Sequence, residues 1–170
     1  MTAFIGLLRA VNVGGRKLVM NDLKAVAEGL GLGGARTYIA SGNLLFTSSK
    51  EEGAVKQALE AALTRHMGKT VGVMVRTAKE MAAVAEANPF ADEPGNRVVA
   101  IFLDDAPPED ATNQAKNVAD EKIALGRKEI YVHYPSGQGQ SKLRIPAAAN
   151  GTARNMNTVT KLAELAEEMA

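Results

Sequence analysis

The chain has 170 residues, a formal net charge of +1, 46% hydrophobic residues and no cysteine. A chain this long buries about 70% of its unfolded surface, enough for one compact domain or two small subdomains that fold without disulfides. No apolar run is long enough to span a bilayer, the lack of Cys excludes thiolate catalysis and Cys-ligated metals, and His66 and His133 alone make a poor metal site, so no metal is expected.

Ala3 to Arg9 is a strand-like run with no basic region ahead of it, so it reads as a first strand and not as a signal peptide; a cytoplasmic protein with no membrane partner is expected. Leu23, Val26, Ala27 and Leu30 then recur at helical spacing behind a candidate cap at Asn21, and Gly31 should end that helix. Arg36 to Ala40 and Leu44 to Ser48 read as strands joined by a tight hairpin at Ser41-Gly42-Asn43. A second helix with its apolar stripe at Val55, Ala58, Leu59, Ala62, Leu63 and Met67 stops at Gly68, and Val71, Val73 and Val75 alternate as a strand. The order β-α-β-β-α-β is the ferredoxin-like unit.

Thr77-Ala78-Lys79-Glu80 is a capping box for a helix that breaks before Pro89. Beyond it, Arg97 to Leu103 reads as a strand and Pro108 to Ala119 as a weakly amphipathic helix. Glu121 to Gly126 and Glu129 to Tyr134 form a hairpin, and a last helix runs from about Thr158 to Met169. This second series has no obvious final strand. The pattern predicts an α+β protein of two ferredoxin-like subdomains with antiparallel sheets, 1–76 and 97–170, joined by a helix and loop over 77–96.

Segments 1–21, 29–50 and 130–163 hold Arg9, Arg16, Lys17, Arg36, Lys50, Lys142, Arg144, Arg154 and Lys161 but no Asp or Glu. They read as cationic loops suited to an anion. A right-handed β-α-β crossover brings the loop after the first strand and the 41–43 hairpin to one end of the sheet. Asn12, Gly14, Gly15 and Lys17 could cradle a phosphate with backbone N–H groups, although the stretch does not match a P-loop and glycines also shape ordinary connections. Ser41 and Asn43 are equally explained by hairpin chemistry.

Ser141-Lys142 ends a Gly-rich polar loop. A Ser beside a Lys in sequence need not point toward it, so Lys142 is read as a phosphate or carboxylate contact in preference to a nucleophile-and-base pair. Arg154, Asn155, Asn157 and Lys161 surround the start of the last helix, where free N–H groups favour an anion and where either Asn can serve simply as the cap. Asp104-Asp105 and Glu109-Asp110 flank prolines at an expected helix start and are discounted as a catalytic pair.

Taken together, Arg9-Ala10-Val11-Asn12-Val13-Gly14-Gly15, Tyr38-Ile39-Ala40-Ser41-Gly42-Asn43, Asn88-Pro89-Phe90, Tyr131 with Pro135-x-Gly137-x-x-x-Ser141-Lys142-Leu143, and Thr152-x-Arg154-Asn155-x-Asn157-Thr158-Val159-x-Lys161-Leu162 resemble a bacterial family, domain of unknown function 1697. Ala10 stands where that family usually has Gly, and Met156 where it usually has Trp; the second change removes an aromatic surface beside Arg154. The resemblance implies an α+β fold of two ferredoxin-like halves. It implies no activity, catalytic residue or cofactor, and it makes Arg9, Asn12, Ser41, Asn43, Ser141, Lys142, Arg154 and Asn157 candidates for a shared site.

Three functions follow as expectations. The first is a module binding a phosphorylated or carboxylated small molecule. The second is RNA or DNA binding, disfavoured by a net charge of +1 and 4% aromatic residues. The third is an enzyme acting on a phosphorylated substrate, which requires a titratable group in the same pocket.

Overall fold

The computed structural model describes residues 1–9, 20–39 and 42–170. They form two units, Met1–Ala82 with Leu162–Ala170, and Ala83–Lys161. Among the described residues there are four α-helices and two four-stranded antiparallel sheets, an α+β architecture.

The first unit contains β1 (Thr2–Arg9), α1 (Met20–Gly29), β2 (Gly33–Thr37), β3 (Asn43–Ser48), α2 (Glu52–Met67) and β4 (Gly72–Thr77), with sheet order β2-β3-β1-β4. Side chains alternate across a strand, so Phe4, Leu8, Leu44, Phe46, Val73 and Val75 share one face. They pack against Leu23 and Ala27 of α1 and Val55, Leu59 and Leu63 of α2, the helical stripes read from the sequence. Gly31 (φ 77°) closes α1 as expected: its N–H donates to the carbonyl of Glu28 at 3.0 Å and that of Leu32 to the carbonyl of Ala27 at 3.1 Å. Gly68 does the same for α2. Helix α1 starts at Met20, so Asn21 lies inside it and not at its cap.

The capping box at the start of α3 (Ala78–Glu86) is formed on both sides, with Thr77 N–H donating to Glu80 Oε1 at 2.9 Å and Glu80 N–H donating to Thr77 Oγ1 at 3.1 Å. Thr77→Ala should lower stability in urea unfolding by about 1 kcal/mol. An unchanged midpoint would show that the helix start is held by packing alone.

The second unit contains β5 (Val98–Phe102), β6 (Lys122–Leu125), β7 (Glu129–His133) and β8 (Thr152–Asn155), in the order β6-β7-β5-β8. The hairpin of β6 and β7 lies where the sequence places it. Two expectations are corrected. Pro108 to Ala119 forms hydrogen-bonded turns and no helix, with Ala111 N–H on the Pro108 carbonyl at 3.0 Å and Ala115 N–H on the Thr112 carbonyl at 3.2 Å. Only Ala111 of this stretch is buried, and Thr112, Asn113 and Asn117 are poor helix formers, so no apolar stripe offsets the cost of nucleation. Glu109-Asp110 therefore starts no helix.

The second correction is β8, a final strand that pairs with β5 through Ala100↔Arg154 and Phe102↔Thr152. One face of this sheet, carrying Val99, Ile130, Val132 and Tyr134, is covered by Leu143, Ile145, Ala147 and Ala148 from the 135–151 loop. Apolar loop residues thus stand where the first unit uses helices. The chain then enters α4 (Met156–Met169), two residues earlier than the spacing suggests.

The two sheets repeat one plan down to single residues. In each, the first strand is central and pairs antiparallel with the third and fourth. Ile5↔Arg76 in the first sheet corresponds to Ala100↔Arg154 in the second. Both arginines are buried, both precede a residue that caps the next helix, and both donate from Nη1 to the preceding residue's carbonyl, Val75 or Ala153, at 3.0 Å.

Candidate functional site

In the first unit, Arg9 ends β1 opposite Gly72, which leaves room beside its side chain. Asn43 is fully buried and donates from Nδ2 to the Tyr38 carbonyl at 3.0 Å, while Tyr38 N–H returns to the Asn43 carbonyl at 3.1 Å. Its side chain thus holds the hairpin shut. Leu8 N–H donates to the Gly42 carbonyl at 2.9 Å, which sets the end of β1 beside Gly42. Asn12, Gly14, Gly15, Lys17 and Ser41 lie outside the described residues.

In the second unit, the residues around the start of α4 have local structural roles. Asn155 Oδ1 accepts the Thr158 N–H at 2.9 Å and is the cap, one of the two alternatives the sequence allows. Asn157 packs on Gly95, where a Cβ would meet its Oδ1 at 2.1 Å. Arg154 is 8% exposed and donates to Thr152 Oγ1 at 2.7 Å. Burial pulls its guanidinium down to about 10 from the usual 12.5. Its neighbour Ala153 packs on the loop-covered face of the sheet, so by strand alternation Arg154 points to the opposite face. Lys161 is exposed on α4.

Ser141 and Lys142 line a cavity of about 610 Å³ together with Asp120, Glu121 and Tyr134. Ser141 Oγ donates to Glu121 Oε2 and accepts the Leu143 N–H at 3.1 Å, and Ser136 Oγ donates to Asp120 Oδ2 at 2.6 Å. The loop is therefore latched to the 120–121 segment by two hydroxyl–carboxylate contacts. The Ser141 hydroxyl, and next the Ala119 N–H at 2.7 Å, hold the Glu121 carboxyl below its ordinary range. Burial, and then the charge of Glu121, push the Tyr134 phenol up.

Tyr134 also lines a second cavity of about 500 Å³, walled by Ile101, Leu143, Ile145 and Pro146 and carrying Lys116 and Arg144. These two cations are paired across an antiparallel bridge, with Lys116 N–H on the Arg144 carbonyl at 2.7 Å and Arg144 N–H on the Lys116 carbonyl at 2.9 Å. Residues that exchange both hydrogen bonds lie directly opposite, so their side chains leave the same face. Neither side chain makes an ion pair or hydrogen bond among the described residues.

Of the sequence candidates, then, Ser141 and Lys142 share a cavity and Arg154 lies on the opposite face of the sheet. Lys116 and Arg144 are the pair that sequence reasoning missed. Arg144 belongs to the third acid-free segment, but Lys116 sits in the stretch that reads as helix, and only the bridge brings them together. His66 ends α2 in the first unit, and His133 is buried in β7 of the second, with Nε2 at 3.5 Å from Glu93 and its ring at 5.8 Å from that of Phe90.

The family model described as "Protein of unknown function (DUF1697)" matches residues 1–131, which leaves Ser141, Lys142 and Arg154 beyond the matched stretch. No curated protein matches the chain. Among solved structures, the conserved bacterial protein SP0830 from Streptococcus pneumoniae is 26% identical, with a TM-score of 0.82 over 98% of this chain and 99% of that one. An unknown protein from Galdieria sulphuraria is 13% identical, covering 99% of this chain and 92% of that one at a TM-score of 0.29, too low to carry any argument. With more than half its length matched, the chain belongs to the DUF1697 family of proteins of unknown function.

Proposed function

We propose that the second unit binds a small molecule that carries a carboxylate or phosphate on an apolar body, with the anion at Lys116 and Arg144. The observation that carries this reading is their direct pairing at the rim of an apolar-walled cavity with no acid in its lining. Like charges placed opposite each other on a ladder are destabilising, and an anion between them reverses the sign of that interaction. Arg144 supplies a planar fork for two oxygens and Lys116 a point charge. We further read both sheets as ferredoxin-like, on their strand order and pairing. The protein is taken as cytoplasmic; no described helix is long and apolar enough to cross a membrane.

Thermal shift against alkyl and aryl carboxylates and phosphates tests the reading, since a ligand at a hundred times its Kd stabilises by about 2.7 kcal/mol. Arg144→Ala should weaken binding roughly tenfold or more, the worth of one charge-assisted hydrogen bond. Because Lys116 and Arg144 are exposed, the variants should fold normally. Stabilisation by short RNA alone, falling steeply with salt, would replace this reading with nucleic-acid binding.

A further inference from the structure

We infer that the ligand of this site is a zwitterion, whose ammonium is received by Glu121 and Asp120 in the cavity on the other side of Tyr134. This rests on the anion reading above and adds the second half of the ligand. The two cavities share Tyr134, and one run of loop serves both: Ser141 and Lys142 line the first, Leu143 and Arg144 the second. A molecule lying along that run meets the Glu121 and Asp120 carboxylates, with Lys142 beside them, at one end and the Lys116–Arg144 pair at the other.

The acidic end has the features of a receptor for a positive charge. Glu121 is only 8% exposed, and its carboxyl is held by neutral donors: the Ser141 hydroxyl, the Ala119 N–H and its own backbone N–H. Neither Glu121 nor Asp120 forms an ion pair among the described residues. Lys142 also lines the cavity, so its lining carries two carboxylates against one ammonium. The neutral donors keep the Glu121 carboxyl below its ordinary range, so it carries a full negative charge that a ligand ammonium can meet. Acceptor capacity remains for it: each carboxylate offers about four lone-pair sites, and neutral donors take three on Glu121 and one on Asp120. Tyr134, which lines both cavities, is the aromatic residue they share. The ligand class is a small amino-acid-like zwitterion with an apolar body.

Calorimetric titration of the whole protein with matched probes tests this. The pairs are phenylalanine against 3-phenylpropionate and 5-aminopentanoate against pentanoate, which differ in the amine and in its separation from the carboxylate. In at least one pair the zwitterion should bind at least tenfold more tightly. Glu121→Gln should bring that zwitterion down to the affinity of its amine-free partner, and Arg144→Ala should weaken both. Asp120→Asn is the second variant, read the same way if Glu121→Gln does not fold. Equal or tighter binding of both amine-free acids overturns the zwitterion inference and leaves the anion site standing. Failure of all four probes to bind at millimolar concentration overturns the inference and the anion reading together.

Discussion

Phe46→Ala should lower the unfolding free energy by about 3–5 kcal/mol, a large share of the roughly 5–15 kcal/mol that holds a domain of this kind together. Phe46 is fully buried in β3, its ring stacked on that of Phe4 with centroids 5.6 Å apart. The surrounding side chains come from four different elements: Leu8 of β1, Val73 of β4, Leu23 of α1 and Leu59 of α2 all belong to the same cluster. A cavity opened there cannot be closed by moving one helix, because the sheet and both helices would have to shift together. Urea unfolding measures the effect, and Phe46→Leu, which keeps most of the volume, should lose far less. A loss below about 1 kcal/mol for Phe46→Ala would mean that the site collapses around the smaller side chain and that the packing is looser than the burial implies.

The first unit was largely legible because its signals are local. Gly31, Gly68 and the Thr77/Glu80 pair each act within a few residues of the helix end they define, and the valines of β4 alternate plainly. In the second unit the signals were tertiary. Thr152-Ala153-Arg154-Asn155 has no apolar alternation to mark it as a strand; it is one because β5 offers hydrogen bonds and because Gly151 lets the chain come close. Conversely, spacing alone suggested a helix at 108–119, where only Ala111 is buried and no apolar stripe holds one. The site follows the same division. Asn43 and Asn155 carry polar side chains whose nearest use is structural, and their sequence context allowed that reading. Lys116 and Arg144 are juxtaposed by a single bridge between two irregular segments, which no spacing rule anticipates.

Gly151→Val should lower stability by about 1–3 kcal/mol and weaken ligand binding at the Lys116–Arg144 cavity as well. A Cβ at position 151 would lie 2.8 Å from the Phe102 carbonyl oxygen, 2.8 Å from Ile101 Cγ2 and 2.9 Å from Leu103 Cδ2. Two of these are side-chain atoms that can rotate; the carbonyl belongs to β5 and cannot yield without moving the strand. The contact falls beside the Phe102↔Thr152 pair, so relief means separating β8 from β5 at that end. Gly151 also closes the turn that carries the cavity wall, its N–H donating to the Ala148 carbonyl at 3.0 Å, and Ile101, Ala148 and Ala149 all line the cavity. Strain introduced at this point therefore reaches the ligand site directly. Gly139→Ala is the control: no atom lies within 4 Å of the added Cβ, and a change within about 0.5 kcal/mol is expected. Urea midpoints together with titration of a carboxylate probe separate the two effects. A Gly151→Val protein that unfolds at the wild-type midpoint would mean that β8 can move away from β5 without cost, and the close approach would then have no part in shaping the cavity.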